Sequence, residues 1–375
     1  MSVKKLLKKW FGGKQGYIVN LYKTDYNKRV MISYITAPFH TPSDFRHQNY
    51  LTSHIVAESF SSLGYDVDIV DHSNEHLEID YNIYDVFFGF GYNFENSFLC
   101  SNRNILRVHL ITGAHQDLHN KMSLKSLTDF HEQSGLWLTS EASVLSDSSY
   151  FSMYNADISI ILAHGYVYED CKSRYANKLY SLNNNILGVY SNFKPKISRS
   201  NNFLFLCGGR QITKGLTLLL ETAKLRKDLN FYLVIPSISG ILEDYYGEVL
   251  DRDNVYLFKN IGMNSDEMIQ IINKCSYSVA PSYTDGMPGG TIEPMSAGLI
   301  PIVSKFCGFD KEEFIFVMED LSVQGLNDTI NRVLKMTDDT YFCYSNAVKN
   351  YAIKEFSSSE VKKELIRILE VEISE

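Results

Sequence analysis

Asp285 and Glu293 stand eight positions apart in the stretch PSYTDGMPGGTIEPMSAGLIPIVSKFCGFD, Pro281 to Asp310. One carboxylate lies in a loop rich in glycine and proline, the other in a helix-compatible segment, and apolar runs flank them at Tyr277 to Ala280 and Ile300 to Val303. The pattern predicts strand, loop, helix, strand. Pro294 places Glu293 in the first helical turn, because a first-turn residue has no intrahelical use for the amide that proline lacks. Thr291 then reads as the N-cap and Gly298 as the C-terminal stop. The amides of Gly289, Gly290 and Thr291 would point out of the helix start, where an anion or a sugar hydroxyl can be held. Such a site suits a polyhydroxylated, negatively charged ligand.

A second constellation precedes it. Cys207-Gly208-Gly209-Arg210-Gln211-Ile212-Thr213-Lys214-Gly215 joins an apolar run to a helical one. Two glycines let the backbone approach a ligand closely, and Arg210 and Lys214 add two fixed positive charges. Such a pair neutralises a diphosphate without a metal ion. Other patterns carry less. Asp66-Val67-Asp68 falls inside a predicted strand and Asp251-Arg252-Asp253 in a polar loop, so neither D-x-D ends a buried strand as a metal site would require. His115 and His119 have zinc-like spacing, but no Glu follows the first. There is no G-x-S-x-G elbow and no Walker loop.

The elements that position these residues form two series. Val30 to Ile35, Val67 to Val70, Val86 to Phe88, Arg107 to Ile111 and Ile158 to Leu162 read as strands, with a helix over about Asn49 to Leu63 ended by Gly64. Between the first strand and that helix, TAPFHTPSDFRHQNY reads as a loop carrying His40, Arg46 and His47. Polar, Asn-rich sequence at Ser181 to Asn185 and Ser191 to Asn202 marks a hinge. Strands then return at Phe203 to Leu206, Phe231 to Ile235, Val255 to Phe258 and Ser278 to Ala280, with helices at Leu216 to Leu225 and Asp266 to Asn273. Strands alternating with helices predict parallel α/β domains with function at the carboxyl ends of the strands. The divisions expected are a basic segment over 1–28, a first doubly wound domain over 29–195, a second over 196–355, and a C-terminal helix over 356–375 crossing back to the first.

The chain has 375 residues and a net charge of −8, which favours two domains and argues against nonspecific nucleic-acid binding. Six singly scattered cysteines support neither a zinc ribbon nor a disulfide framework, and they fit a reducing, cytoplasmic setting. No run approaches the length of a membrane span, and no signal-peptide pattern begins the chain. In MSVKKLLKKWFGGK, Val3, Leu6, Leu7, Trp10 and Phe11 share one helical face and four lysines the other. That pattern predicts a peripheral contact of residues 1–14 with an anionic membrane, on its cytoplasmic side.

On these residues the C-terminal half resembles retaining glycosyltransferases of the GT-B fold, the group with the E-x7-E signature. GGRQITKGLTLLLETA is similar to their G-R-x-K-G diphosphate turn, and Pro281 to Asp310 to their signature loop and helix. The resemblance covers about Phe203 to Asp310. It implies that Arg210 and Lys214, with Gly208 and Gly209, grip the diphosphate, while Asp285 and the loop Gly286-Met287-Pro288-Gly289-Gly290-Thr291 hold the donor sugar. Glu293 would bind the ribose hydroxyls. His47 to Tyr65 resembles the first helix of bacterial surface-polysaccharide transferases, and His40, Arg46 and His47 of the preceding loop are the acceptor-side candidates. Arg107 to His115 resembles the strand whose terminal histidine faces the donor sugar, so His115 joins Arg210, Lys214 and Asp285 as a catalytic candidate. The co-substrate would be a UDP- or GDP-linked sugar, with no cofactor and no metal, and the acceptor a glycan or a lipid-linked glycan. Three departures stand out: Asp285 replaces the usual Glu, the Arg-to-Lys spacing is one residue tighter, and Ala37-Pro38-Phe39-His40 replaces a glycine pair. A sugar-nucleotide 2-epimerase of the same fold, or a catalytically silent transferase subunit, is the alternative reading.

Overall fold

The computed structural model describes residues 16–41, 47–145, 150–194 and 196–374. The basic segment 1–14 and Arg46 lie outside the described residues.

Two sheets organise the chain. The first holds β1 (Tyr17–Ile18), β2 (Lys28–Tyr34), β3 (Tyr65–Asp71), β4 (Val86–Gly89), β5 (Leu106–Ile111), β6 (Ile158–Ile161) and β7 (Lys178–Ser181), in the order β1-β3-β2-β4-β5-β6-β7. Its strands pair in parallel, except that β1 runs antiparallel to β3. The second holds β8 (Asn202–Leu206), β9 (Asn230–Ile235), β10 (Val255–Lys259), β11 (Tyr277–Ala280), β12 (Ile300–Val303) and β13 (Phe316–Val317), ordered β10-β9-β8-β11-β12-β13 and all parallel. Central strands such as VFFG in β4 and IPIV in β12 are buried along their whole length. Parallel sheets covered on both faces need such continuous apolar runs. These are two Rossmann-like α/β domains.

The second sheet reverses its strand order between β8 and β11, which opens a crevice at their carboxyl ends. β8 runs into the Cys207–Gly215 turn and β11 into the Pro281–Pro288 loop. Both constellations found in the sequence therefore meet at the same topological switch point.

The helices that flank the sheets include α1 (Ala37–His40), α2 (Gln48–Ser62), α3 (Gln116–Ser134), α4 (Leu216–Leu225), α5 (Asp266–Lys274), α6 (Gly289–Ser296) and α7 (Ser358–Ser374). Helix α3 belongs to the first domain by sequence, yet Leu118, Met122, Leu127 and Phe130 share a core cluster with Ile212, Leu216 and Leu219 of the second. Helix α7 goes the other way. Val361, Leu365, Ile368 and Leu369 pack with Ile55 and Val56 of α2, and Lys362 pairs with Glu58 at 2.9 Å.

Several local expectations need correction. The segment expected to be all loop after β2 contains α1, with Pro38 in its first turn. Helix α6 starts at Gly289 with Pro288 as its N-cap, so Thr291 is a third helical residue and not the cap. Glu293 is consequently the fifth residue, beyond the first turn, and Pro294 sits inside the helix. Proline there costs one backbone bond, and the helix ends two residues later. Gly298, at φ +86°, donates to the Met295 carbonyl at 2.8 Å, and Leu299 donates to the Pro294 carbonyl at 3.1 Å. That pair of bonds is a Schellman closure, which glycine in the left-handed region makes possible.

Candidate active site

A cleft of about 520 Å³ lies between the domains. The second domain contributes Gly208, Gly209 and Lys214 from the β8 turn, Asp285, Met287 and Pro288 from the β11 loop, and the first three residues of α6. The first domain contributes His47, Gln48 and Asn49 from the start of α2, and Thr112 from the end of β5. Asn184, from the connection between the sheets, lines it as well, and its Nδ2 donates to the Met287 carbonyl at 2.8 Å.

The two turns are locked together by close backbone approach. Gly215 has φ +85°, and a Cβ there would come within 2.1 Å of the Pro281 carbonyl oxygen; one on Gly290 would meet the Leu206 oxygen at 2.0 Å. Only glycine permits either contact. The loop also reaches across the cleft, where the Met287 amide donates to the Leu162 carbonyl at 3.1 Å.

At the centre, Lys214 Nζ and Asp285 Oδ2 form an ion pair at 2.5 Å, and Nζ also approaches the Thr284 carbonyl at 3.3 Å. Thr291 Oγ1 and Thr284 Oγ1 are buried without partners. The cleft thus holds a cation and an anion paired with each other, the amides of Gly289 and Gly290 at a helix start, and the unmet Thr291 hydroxyl. That inventory can bind a phosphate group beside a polyol.

Arg210 is not part of that lining. It sits at φ +64°, exposed, and its Nη1 donates to the carbonyls of Ser140, at 2.8 Å, and Ala142. Glu141 returns the contact, its Oε2 accepting the Ile212 amide at 3.2 Å, and burial raises its carboxyl above the usual range. The basic turn is therefore clasped to the first domain through its arginine.

Glu293 lies behind the cleft wall and is fully buried. Its Oε1 accepts the Leu187 amide at 2.5 Å and Gln48 Nε2 at 3.0 Å, whereas Oε2 has no partner. Burial outweighs those two bonds and pushes its pKa to about 7.

The histidines separate. His115 caps α3, its Nδ1 accepting the Asp117 amide at 3.2 Å, and burial lowers its pKa. It is 1% exposed and does not line the cleft. One turn on, His119 lies within reach of the charges of Lys214, Asp285 and Arg210, with Nε2 3.1 Å from Ser143 Oγ. Burial lowers its pKa also. His47 caps α2 through Nδ1 and does line the cleft; burial depresses it most, with Asp285 pulling the other way. His40 is exposed at the end of α1 and away from the lining. The carboxylates of Asp66-Val67-Asp68 are tied into their own domain, whereas Asp251 and Asp253 are exposed. Asp68 accepts from Arg29 at 3.1 Å and Tyr84 at 2.6 Å, and Asp66 accepts from Thr24 at 2.6 Å. Among the described residues, no group of three or more His, Cys, Asp or Glu could hold a metal ion.

Gln48, His119, Glu141 and Asn184 were not singled out in the sequence as site residues. Each is a lone polar residue whose place depends on the facing domain, and the only hint was polar sequence beside His47 and in the Asn-rich connection.

Residues 190–354 match the family model described as glycosyl transferases group 1. No curated protein matches the chain. Among solved structures, sucrose-phosphate synthase from Thermosynechococcus elongatus is similar at a TM-score of 0.63 and 12% identity, over 93% of this chain and 100% of that one. HepE from Anabaena, in complex with UDP, gives 0.57 and 13%, over 92% and 100%. WaaG, a glycosyltransferase involved in lipopolysaccharide biosynthesis, gives 0.55 and 12%, over 90% and 99%. At such identities the likeness establishes the fold, which is GT-B. With the match to the second domain, it supports a GT-B glycosyltransferase.

Proposed function

We propose that the protein is a retaining, metal-independent glycosyltransferase that moves a sugar from a UDP- or GDP-linked donor to a glycan or lipid-linked acceptor. The observation that carries this reading is the Lys214–Asp285 pair, set between two glycine turns at the switch point and facing the first domain. A donor diphosphate competes with Asp285 for Lys214, and its oxygens face the amides of Gly289 and Gly290, since the Thr291 amide already donates to the Pro288 carbonyl at 2.9 Å. Asp285, released from the lysine, accepts hydroxyls of the sugar.

As the bond from anomeric carbon to phosphate oxygen breaks, both its electrons go to the diphosphate. Lys214 and the helix amides gain most at that moment, since they meet more charge in the transition state than in the bound donor. The oxocarbenium-like sugar is attacked from the face the phosphate is leaving, and the departing phosphate oxygen takes the acceptor proton. No side chain is assigned as a covalent nucleophile. Arg210 reaches the leaving group only by giving up its hold on Ser140 and Ala142, so Lys214 carries the larger share.

The first domain would seat the acceptor, with His47 lining the cleft and His119 within reach of the charges of the ion pair. Assembly of a cell-surface polysaccharide or lipopolysaccharide is the setting proposed, at the cytoplasmic face of a membrane touched by residues 1–14. Similarity to WaaG, a glycosyltransferase involved in lipopolysaccharide biosynthesis, supports the setting, and similarity to HepE, solved with UDP and with UDP and glucose, supports the donor class. Proton NMR of the product anomeric centre tests the stereochemistry. An axial donor should give an axial product at a rate unchanged by EDTA; an inverted product, or loss of rate on chelation, refutes the corresponding half of the proposal.

A further inference from the structure

Gln48 stands between the cleft and Glu293. It is the first residue of α2, is 6% exposed, and lines the cavity. Its side chain crosses to the second domain, where Nε2 donates to Glu293 Oε1 at 3.0 Å. It lies so tightly over Gly289 that an added Cβ there would meet Gln48 Oε1 at 2.3 Å and Nε2 at 2.6 Å. Behind it, Glu293 is sealed from the cavity with Oε2 unpaired. A buried carboxylate oxygen left without a donor is expensive, and a hydroxyl that reached it would be strongly held.

We propose that Gln48 is a plug over Glu293, which the vicinal hydroxyls of a nucleoside must displace before they can bind that carboxylate. The inference rests on the reading of the cleft as a nucleotide-sugar site. It also gives ligand entry a mechanical consequence. Gln48 belongs to the first domain, Glu293 to the second, and the Leu187 amide on the same oxygen to the connection between the sheets. Displacing Gln48 therefore breaks a bond between the domains beside the connection. Asn185 Nδ2, on Thr52 Oγ1 at 2.6 Å, still holds α2 to that connection. The plug is a positioning residue: it takes no part in bond making and sets what Glu293 can touch.

Titration calorimetry on the full chain tests this with UDP, GDP and their 2′-deoxy counterparts, using wild type, Gln48→Ala and Gln48→Met. The probe is whichever nucleotide wild type binds more tightly. Removing a hydrogen bond to a charged group worth on the order of 1.5 kcal/mol should tighten binding to Gln48→Ala about tenfold. The 2′-deoxy nucleotide, lacking one of the two hydroxyls, should gain less than about twofold. If the alanine variant loses its cooperative thermal transition, Gln48→Met, which keeps the volume and removes the amide, carries the comparison and should shift the same way. Unchanged or weaker binding overturns the plug, and so does an equal gain for the 2′-deoxy nucleotide. If wild type binds neither UDP nor GDP, the donor-site reading itself fails, and the plug with it.

Discussion

Lys214 and Asp285 neutralise one another in the cleft, and each is the other's stand-in for ligand. The ammonium waits on a carboxylate where a phosphate would bind, and the carboxylate waits on an ammonium where hydroxyls would. With Asp in place of Glu the side chain is one methylene shorter, and 2.5 Å to the lysine shows that it still reaches. Glu293 lies buried behind the same cleft. Its ordinary pKa of 4.5 rises to about 7 in the fold, so the proton is bound more tightly in the native state. The stability this contributes is complete below about pH 4.5 and is lost as pH climbs through 7. Wild type should therefore lose stability relative to Glu293→Gln between about pH 5 and pH 8, by roughly 2–3 kcal/mol in urea unfolding. Parallel profiles for the two proteins would show that the carboxyl titrates normally. Nucleotide affinity, which needs the ionised carboxylate as acceptor, should rise over the same interval in wild type and stay flat in the variant.

The β8 turn, the β11 loop and α6 form a unit set by backbone contact. Gly290→Ala puts a Cβ against the Leu206 carbonyl and should cost about 2 kcal/mol or more. A urea midpoint equal to wild type would mean that this contact is soft. The elements were largely legible because buried parallel strands read as short apolar runs, and α4 fell over Leu216 to Leu225 as expected. What misled was local chemistry overridden by packing. Pro294 looked like a first-turn residue, yet α6 begins earlier at Gly289 and carries the proline inside. Arg210 looked like a diphosphate ligand from its spacing, but its left-handed backbone turns it toward Ser140 and Ala142. Helix α3 escaped notice because its apolar residues are few and join a core shared by both domains, and it is otherwise rich in polar residues.

At the scale of the whole molecule, α7 packs into the first core, and α3 sits in a core cluster that draws on both domains, with Ile111, Ile161 and Val167 on one side and Ile212, Leu216 and Leu219 on the other. The cleft is bounded by both domains, so residues such as Gln48 and His119 gain meaning only once the two face each other. Nothing in a linear pattern pairs Gln48 with a carboxylate 245 positions away. Among the described residues no helix is long and apolar enough to cross a membrane. If residues 1–14 provide the membrane contact, deleting residues 2–13 should lower binding to vesicles containing anionic lipid and leave hydrolysis of the donor unchanged. Equal vesicle binding by the truncated chain removes that anchor.

A donor site worked by Lys214 must release nucleoside diphosphate. Release of free nucleoside diphosphate from a panel of UDP- and GDP-sugars, measured for wild type and Lys214→Ala at matched thermal stability, tests it most directly. Wild type should turn over at least one donor, and the variant should be slower by about 100-fold or more, the scale of removing a transition-state charge contact. Absence of turnover across the panel, or a Lys214→Ala protein as fast as wild type, would contradict it.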